Sequence, residues 1–138
     1  VVVTEDCKFA LTETTLGIPP AQIAPFVAQR IGLAKARRIM LTAARFTGKE
    51  AFEMGLADFI AKDANDLRNI ESDIIKGVMN CAPGANAITK EIVLATRHLE
   101  RSEMIDFAAK GFAERMLSDE GREGIASFIE KRKPKWSK

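Results

Sequence analysis

The sequence predicts an α/β chain that opens on short strands and continues as mostly helix. Apolar and β-branched runs of strand length stand at residues 1–4 and 9–11. From residue 21 onward, apolar side chains recur at steps of three and four, the spacing of one helix face. Of the 138 residues, 46% are apolar and 29% charged, the balance of a globular domain rather than a disordered or collagenous chain. A chain of this size buries roughly two-thirds of the surface its unfolded form exposes, so it can build a core.

The polar stretch 5–8 separates the two opening strands. An isolated two-stranded unit is marginal in water, which places their expected pairing partners upstream of Val1. With neither an initiating Met nor the basic and apolar regions of a signal peptide, the chain reads as cut. A first helix is expected over residues 21–31, with Ile23, Phe26, Val27 and Ile31 on one face, Pro20 in the first turn and Gly32 at the stop. A second follows over 34–43. Thr47 and Glu50 have capping-box spacing for a third, which Gly55 ends. Residues 56–60 read as a buried extended segment and 62–66 as a polar loop.

Leu67, Ile70, Ile74, Val78 and Cys81 then form the stripe of a long helix ended by Pro83 and Gly84. Helices over 86–97, with Ile88, Ile92 and Ala95, and over 103–117, with Ile105, Ala108, Phe112 and Met116, come next. Ser118 and Asp119 cap a last helix bearing Ile125, Phe128 and Ile129, closed by Pro134. The chain has no internal repeat and no low-complexity segment.

Composition narrows the function. No apolar run approaches the roughly 18–20 residues a bilayer crossing needs, so no membrane partner is expected. Cys7 and Cys81 lie far apart and read as free thiols in a reducing, cytoplasmic setting. With His98 alone and no cysteine pair at ligand spacing, a structural zinc site is not expected. His98 itself sits near a helix end, where an imidazolium meets the helix dipole. The net charge of +2 is the sum of five positive charges in the last eight residues and a net −3 elsewhere. That basic tail is either a solvated end or a contact for something anionic. Trp136, flanked by lysines, covers apolar surface at the chain end or stacks on a ring, and packing is the favoured reading.

Glu13 is the first candidate for chemistry, because it follows the second strand and precedes the turn at Gly17, where a carboxylate can project into a cleft. A glutamate at a strand end is more often a cap or an exposed charge. Gly17, Pro19 and Pro20 stiffen the backbone behind it, which a proton-transferring group requires.

Three segments together, F-A-L-T-E-T-T-L-G-I-P-P, R-F-T-G-K-E-A-F-E-M-G-L-A-D and S-D-E-G-R-E-G-I-A-S-F-I-E-K-R-K-P-K-W, resemble the C-terminal half of the enoyl-CoA hydratase/isomerase (crotonase) family, in that order and spacing. The resemblance spans the whole chain. It implies an α/β crotonase (ClpP/crotonase-like) fold, with residues 1–62 a remnant of the β/α core and 63–138 a helical region used for oligomerisation, as a trimer or dimer of trimers. It implies that Glu13 is one of two catalytic glutamates and the proton donor at the α-carbon, the other glutamate and the oxyanion-hole N–H groups lying upstream of Val1. It further implies that Leu16, Gly17 and Pro19 meet the substrate, that Lys131 meets a phosphate of coenzyme A, and that Phe112 lines the nucleotide pocket, the last two on the same or a neighbouring subunit. Helix-stripe packing also explains Phe112.

The implied substrate is an acyl-CoA thioester, with coenzyme A part of the substrate, no separate cofactor and no nucleic-acid partner. The stretch P-P-A-Q-I-A-P-F-V looks most like hydratases of branched glutaconyl-CoA thioesters, such as methylglutaconyl-CoA and isohexenylglutaconyl-CoA hydratase. Here Pro20-Ala21-Gln22-Ile23 replaces the commoner G-A-G-G and reshapes the pocket wall. Two alternatives stand beside hydration: an enoyl-CoA isomerase of the same family, and a non-catalytic helical module for oligomerisation or anion binding.

Overall fold

The computed structural model describes residues 1–137. Its contacts divide the chain into two compact units, Val1–Asp73 and a second from Ile74 onward.

In the first unit, strands β1 (Val2–Thr4) and β2 (Lys8–Ala10) lead into a 3-10 turn at Glu13–Leu16. Helices α1 (Ala24–Ile31) and α2 (Leu33–Leu41), strand β3 (Arg45–Thr47), helix α3 (Gly48–Met54) and strand β4 (Phe59–Ala61) follow. Within the described residues both opening strands pair with strands further along the chain. β1 runs parallel to β4 with Val3 opposite Ile60, and β2 runs antiparallel to β3 with Phe9 opposite Phe46. Those two rings stack with centroids 5.3 Å apart, a cross-strand pair that supports a ladder only three residues long. β3 escaped the sequence reading because three residues between a helix stop and a helix cap leave no period to detect.

The pairings set the packing. Leu11, Ile31, Ala36, Ile39, Met40 and Phe46 form a buried cluster with Ala51 and Met54. Ala36, Ile39 and Met40 supply it at helical spacing from α2. α1 begins at Ala24 rather than near residue 21, and Pro25 rather than Pro20 takes the first-turn place, because residues 21–23 form a turn after the two prolines. The capping box of α3 is present as expected: the Glu50 N–H donates to Thr47 Oγ1 (3.3 Å), and the Thr47 N–H donates to Glu50 Oε2 (2.7 Å). The Thr47 N–H foremost, with the Thr47 hydroxyl, which also donates to Glu50 Oε2 (3.0 Å), holds the exposed Glu50 carboxyl below its usual range.

Helix α4 (Ala64–Met79) crosses from the first unit into the second. It starts inside the expected loop because Asp63 Oδ1 accepts the N–H groups of Asn65 (2.7 Å) and Asp66 (2.9 Å). The second unit continues with α5 (Pro83–Ala95), α6 (Arg101–Met116) and α7 (Asp119–Ile129). Pro83 opens α5 instead of ending α4, since its missing N–H costs nothing in a first turn. α7 stops five residues before Pro134, so that proline does not close it.

The α5 stripe faces inward, with Ala95 buried and Ile88 and Ile92 half-buried, but the large apolar side chains of the other stripes in this unit do not form its interior. α4 has no buried residue, and Ile105, Phe112, Met116, Ile125, Phe128 and Ile129 are exposed, Phe128 at 85%. Small residues face inward instead: Gly111 lies so close to α5 that a Cβ there would stand 2.9 Å from Ile88 Cγ2, and Ser127 is buried on α7. Close approach of helix backbones selects small side chains, so the large apolar faces are left outside.

Candidate functional site

Glu13 opens the 3-10 turn directly beyond β2, and local bonds hold that turn in place. The buried Leu11 gives its N–H to the Ala44 carbonyl (3.1 Å), Thr14 Oγ1 donates to the Met40 carbonyl (3.1 Å), and Thr15 Oγ1 donates to the Thr12 carbonyl (2.7 Å). Gly17 then takes φ 75°, a left-handed ending whose N–H returns to the Thr14 carbonyl (3.2 Å). The half-buried Glu13 faces a concavity of about 250 Å³ lined also by Pro19, Pro20, Ala21, Gln22 and Ile23. Its Oε2 is buried without a hydrogen-bond partner among the described residues. A carboxylate oxygen withdrawn from water and left unpaired is costly unless something in the cavity meets it, and it is placed to exchange a proton with whatever enters.

The residues singled out from sequence are distributed over both units. Glu13 and Pro19 share the concavity, whereas Leu16, 75% exposed, and Gly17 lie outside its lining. Phe112 borders a separate groove in the second unit with Ile88, Ile92, Gly111 and Met116, and the ring is 67% exposed. Lys131 stands exposed just past α7.

The basic tail is folded back rather than free. Arg132 bonds Glu123 through Nη1 (2.6 Å) and Nη2 (3.1 Å), and Glu130 through Nε (2.6 Å). Trp136 Nε1 donates to the Asn80 carbonyl (3.2 Å), Ser137 Oγ bonds Asn80 Oδ1 (2.8 Å), and the indole lies over Gly124, where a Cβ would stand 3.3 Å from the ring. Trp136 therefore packs. The Arg132 guanidinium foremost, with the Lys135 N–H, pulls the Glu123 carboxyl down to about 2. Sequence reasoning passed over Glu123, because a pairing nine residues apart across a helix end has no periodic signature.

Among the described residues, no group of three or more His, Cys, Asp or Glu side chains is arranged to hold a metal ion. No helix there is long and apolar enough to cross a membrane.

A half-buried strand-end carboxylate over a small concavity has the geometry a proton-transferring group needs. The model of the enoyl-CoA hydratase/isomerase family matches residues 1–138. The chain is 30% identical over 138 residues to the peroxisomal Delta(3,5)-Delta(2,4)-dienoyl-CoA isomerase of Arabidopsis thaliana, covering 97% of this chain and 49% of that protein. It is 29% identical to a probable enoyl-CoA hydratase of Bacillus subtilis, covering 98% and 53%. The structure of Pseudomonas aeruginosa AtuE superposes with a TM-score of 0.96 at 47% identity, over 99% of this chain and 53% of that one. The chain belongs to the enoyl-CoA hydratase/isomerase family and has the crotonase fold. It spans about half the length of the curated relatives it matches.

Proposed function

We propose that the chain is the C-terminal part of an enzyme that adds water across the double bond of an enoyl-CoA thioester, with Glu13 as an acid/base residue. The buried, unpaired Oε2 of Glu13 beside the concavity carries this reading. In the proposed reaction, donors supplied by the upstream half of the protein polarise the thioester carbonyl, which makes the β-carbon electrophilic. Water oxygen bonds to the β-carbon as a second upstream glutamate takes its proton, and protonated Glu13 delivers a proton to the α-carbon. The π bond is consumed, and the two new bonds carry OH and H.

The substrate is a branched glutaconyl-CoA in this proposal, because Gln22 brings a primary amide to the cavity wall where such a substrate's distal carboxylate needs a donor. Coenzyme A arrives as part of the substrate and no resident cofactor is required. Pro19 borders the acyl part inside the concavity and Leu16 and Gly17 border it beyond that lining, while Phe112 and Lys131, of this or a neighbouring copy, meet the nucleotide end of an acyl-CoA. The exposed apolar faces of α6 and α7 support a homo-oligomer, a trimer or dimer of trimers, since apolar area of this extent gains most by mutual burial. The two free cysteines, Cys7 half-buried and Cys81 exposed, suit a reducing, cytoplasmic setting.

A second reading is double-bond isomerisation, which the 30% identity to a dienoyl-CoA isomerase favours. The test is turnover of a branched glutaconyl-CoA by the intact natural protein in 18O-labelled water. Hydration incorporates one labelled oxygen at the β-carbon, whereas isomerisation incorporates none. Glu13→Gln should lower kcat by about 10²–10⁴-fold with KM little changed. Full turnover by that variant refutes the assignment of Glu13.

A further inference from the structure

The turn that follows α7 has a backbone conformation that glycine adopts most readily, yet a lysine occupies it. Lys131 has φ 53°, its N–H donates to the Phe128 carbonyl (3.3 Å), and the Arg132 N–H reaches back to the Ser127 carbonyl (3.0 Å). This hydrogen-bond pair makes a Schellman ending, whose left-handed position is usually glycine because a Cβ is strained there. No hydrogen bond or ion pair joins the Lys131 ammonium to the described residues, so no contact of its charged end offsets that strain. A long charged side chain at a left-handed position, without local contacts for its charged end, is an outlier that points to a role for the side chain itself.

Bonds on both sides of Lys131 hold the strain in place. Glu123, with only 14% of its side chain exposed, receives Arg132 through two bonds of 2.6 and 3.1 Å. The same carboxylate accepts the Lys135 N–H at 3.0 Å, and Lys135 Nζ lies 3.8 Å from it. Arg132 Nε bonds Glu130 at 2.6 Å, so the chain is tied immediately before and after Lys131. A forked guanidinium on a carboxylate fixes orientation as well as distance.

We infer that Glu123 is a positioning residue for anion binding: by clamping Arg132 and the Lys135 N–H it keeps the left-handed turn that presents the Lys131 ammonium to a phosphate of the acyl-CoA. The inference rests on the proposed reading of Lys131 as a coenzyme A contact and adds the group that aims it. A preformed cation of this kind spares the ligand the ordering of a loose tail.

The experiment measures coenzyme A and pantetheine affinities of the intact natural protein by calorimetry, with pantetheine lacking the nucleotide and all its phosphates. Lys131→Gly should weaken coenzyme A binding about tenfold, leave pantetheine binding unchanged, and raise Tm by about 2–4 °C as the turn relaxes. Glu123→Gln should weaken coenzyme A binding about threefold or more, spare pantetheine, and add nothing in the Lys131→Gly background, as expected of residues acting as one unit. Arg132→Gln opens the clamp from the other side and should give the same profile, including the lack of added effect. If Lys131→Gly loses coenzyme A affinity and Glu123→Gln does not, the positioning role is overturned and the reading of Lys131 stands. Equal losses for coenzyme A and pantetheine in Glu123→Gln also overturn it, as a general structural effect. Unchanged coenzyme A affinity in Lys131→Gly, or no coenzyme A binding by the wild type, overturns both.

Discussion

Replacing Gly48 by alanine should break the joint between α3 and the strand turn that leads to Glu13. Gly48 is the buried first residue of α3, and its N–H donates to the Cys7 carbonyl at 2.8 Å. The next N–H, of Lys49, reaches the Glu5 carbonyl at 3.3 Å. A Cβ at Gly48 would stand 1.9 Å from the Thr4 carbonyl oxygen and 2.8 Å from Cys7 Sγ. The sulfur can turn away, but the carbonyl belongs to β1, whose register with β4 fixes it. Relief needs more than 1 Å of separation, given that carbon and oxygen touch at about 3.4 Å, and that pulls both hydrogen bonds out of range. Two bonds at about 1 kcal/mol each, with about 1–2 kcal/mol of overpacking strain, give a loss of about 3–4 kcal/mol. Urea unfolding of the intact protein and its Gly48→Ala variant measures this as a lower midpoint at unchanged m. Because β2 and Leu11 follow the displaced turn on the way to Glu13, kcat should fall as well. A variant within about 1 kcal/mol of the wild type would refute the close approach and the reason for a glycine in the Thr-Gly-Lys-Glu segment.

The remaining predictions concern caps, core and tail. Ala43 has φ 51° at the end of α2, so Ala43→Gly should stabilise the protein by about 1 kcal/mol in the same urea assay, with coenzyme A affinity unchanged. Thr47→Ala removes the hydroxyl that accepts the Glu50 N–H and should cost about 1 kcal/mol in denaturant midpoint. Ile39 is 2% exposed within the first unit's core, and Ile39→Ala should cost about 2–5 kcal/mol, read from Tm. The Glu123 carboxyl, pulled down to about 2 by Arg132 foremost, contributes its clamp fully above the ordinary value of 4.5 and loses it as pH falls toward 2. Emission from Trp136, the single tryptophan among these 138 residues, should therefore shift to the red within that window, and Arg132→Gln should move the shift to higher pH. An emission change complete above pH 5 would contradict the clamp.

How much was legible in the sequence depended on the range of the interaction. The capping box at Thr47 and Glu50, the left-handed stop at Gly55 and the cap at Ser118 are local, and all three stand where spacing put them. β3 was invisible, and Pro83 was misread because a proline can end one helix or open the next. The stripes on α6 and α7 were correct as periodicity and wrong as burial: Ile105 and Phe128 face outward while Gly111 and Ser127 pack inside. For the site, a carboxylate at a strand end could be located from sequence, but its unpaired Oε2 and the cavity wall at Gln22 could not.

By itself, then, the sequence determined every helix and all but one of the strands in outline, the local caps at Thr47, Gly55 and Ser118, the family and a strand-end glutamate. Those depend on residues a few positions apart, whose geometry the backbone sets. Tertiary structure alone decided that β1 pairs with β4 and β2 with β3, that small residues rather than the large apolar stripes fill the helical unit, and that Glu123 grips the tail across nine residues. Those outcomes turn on which surfaces meet at close range, and burial is settled by the shape of both partners rather than by the hydrophobicity of one.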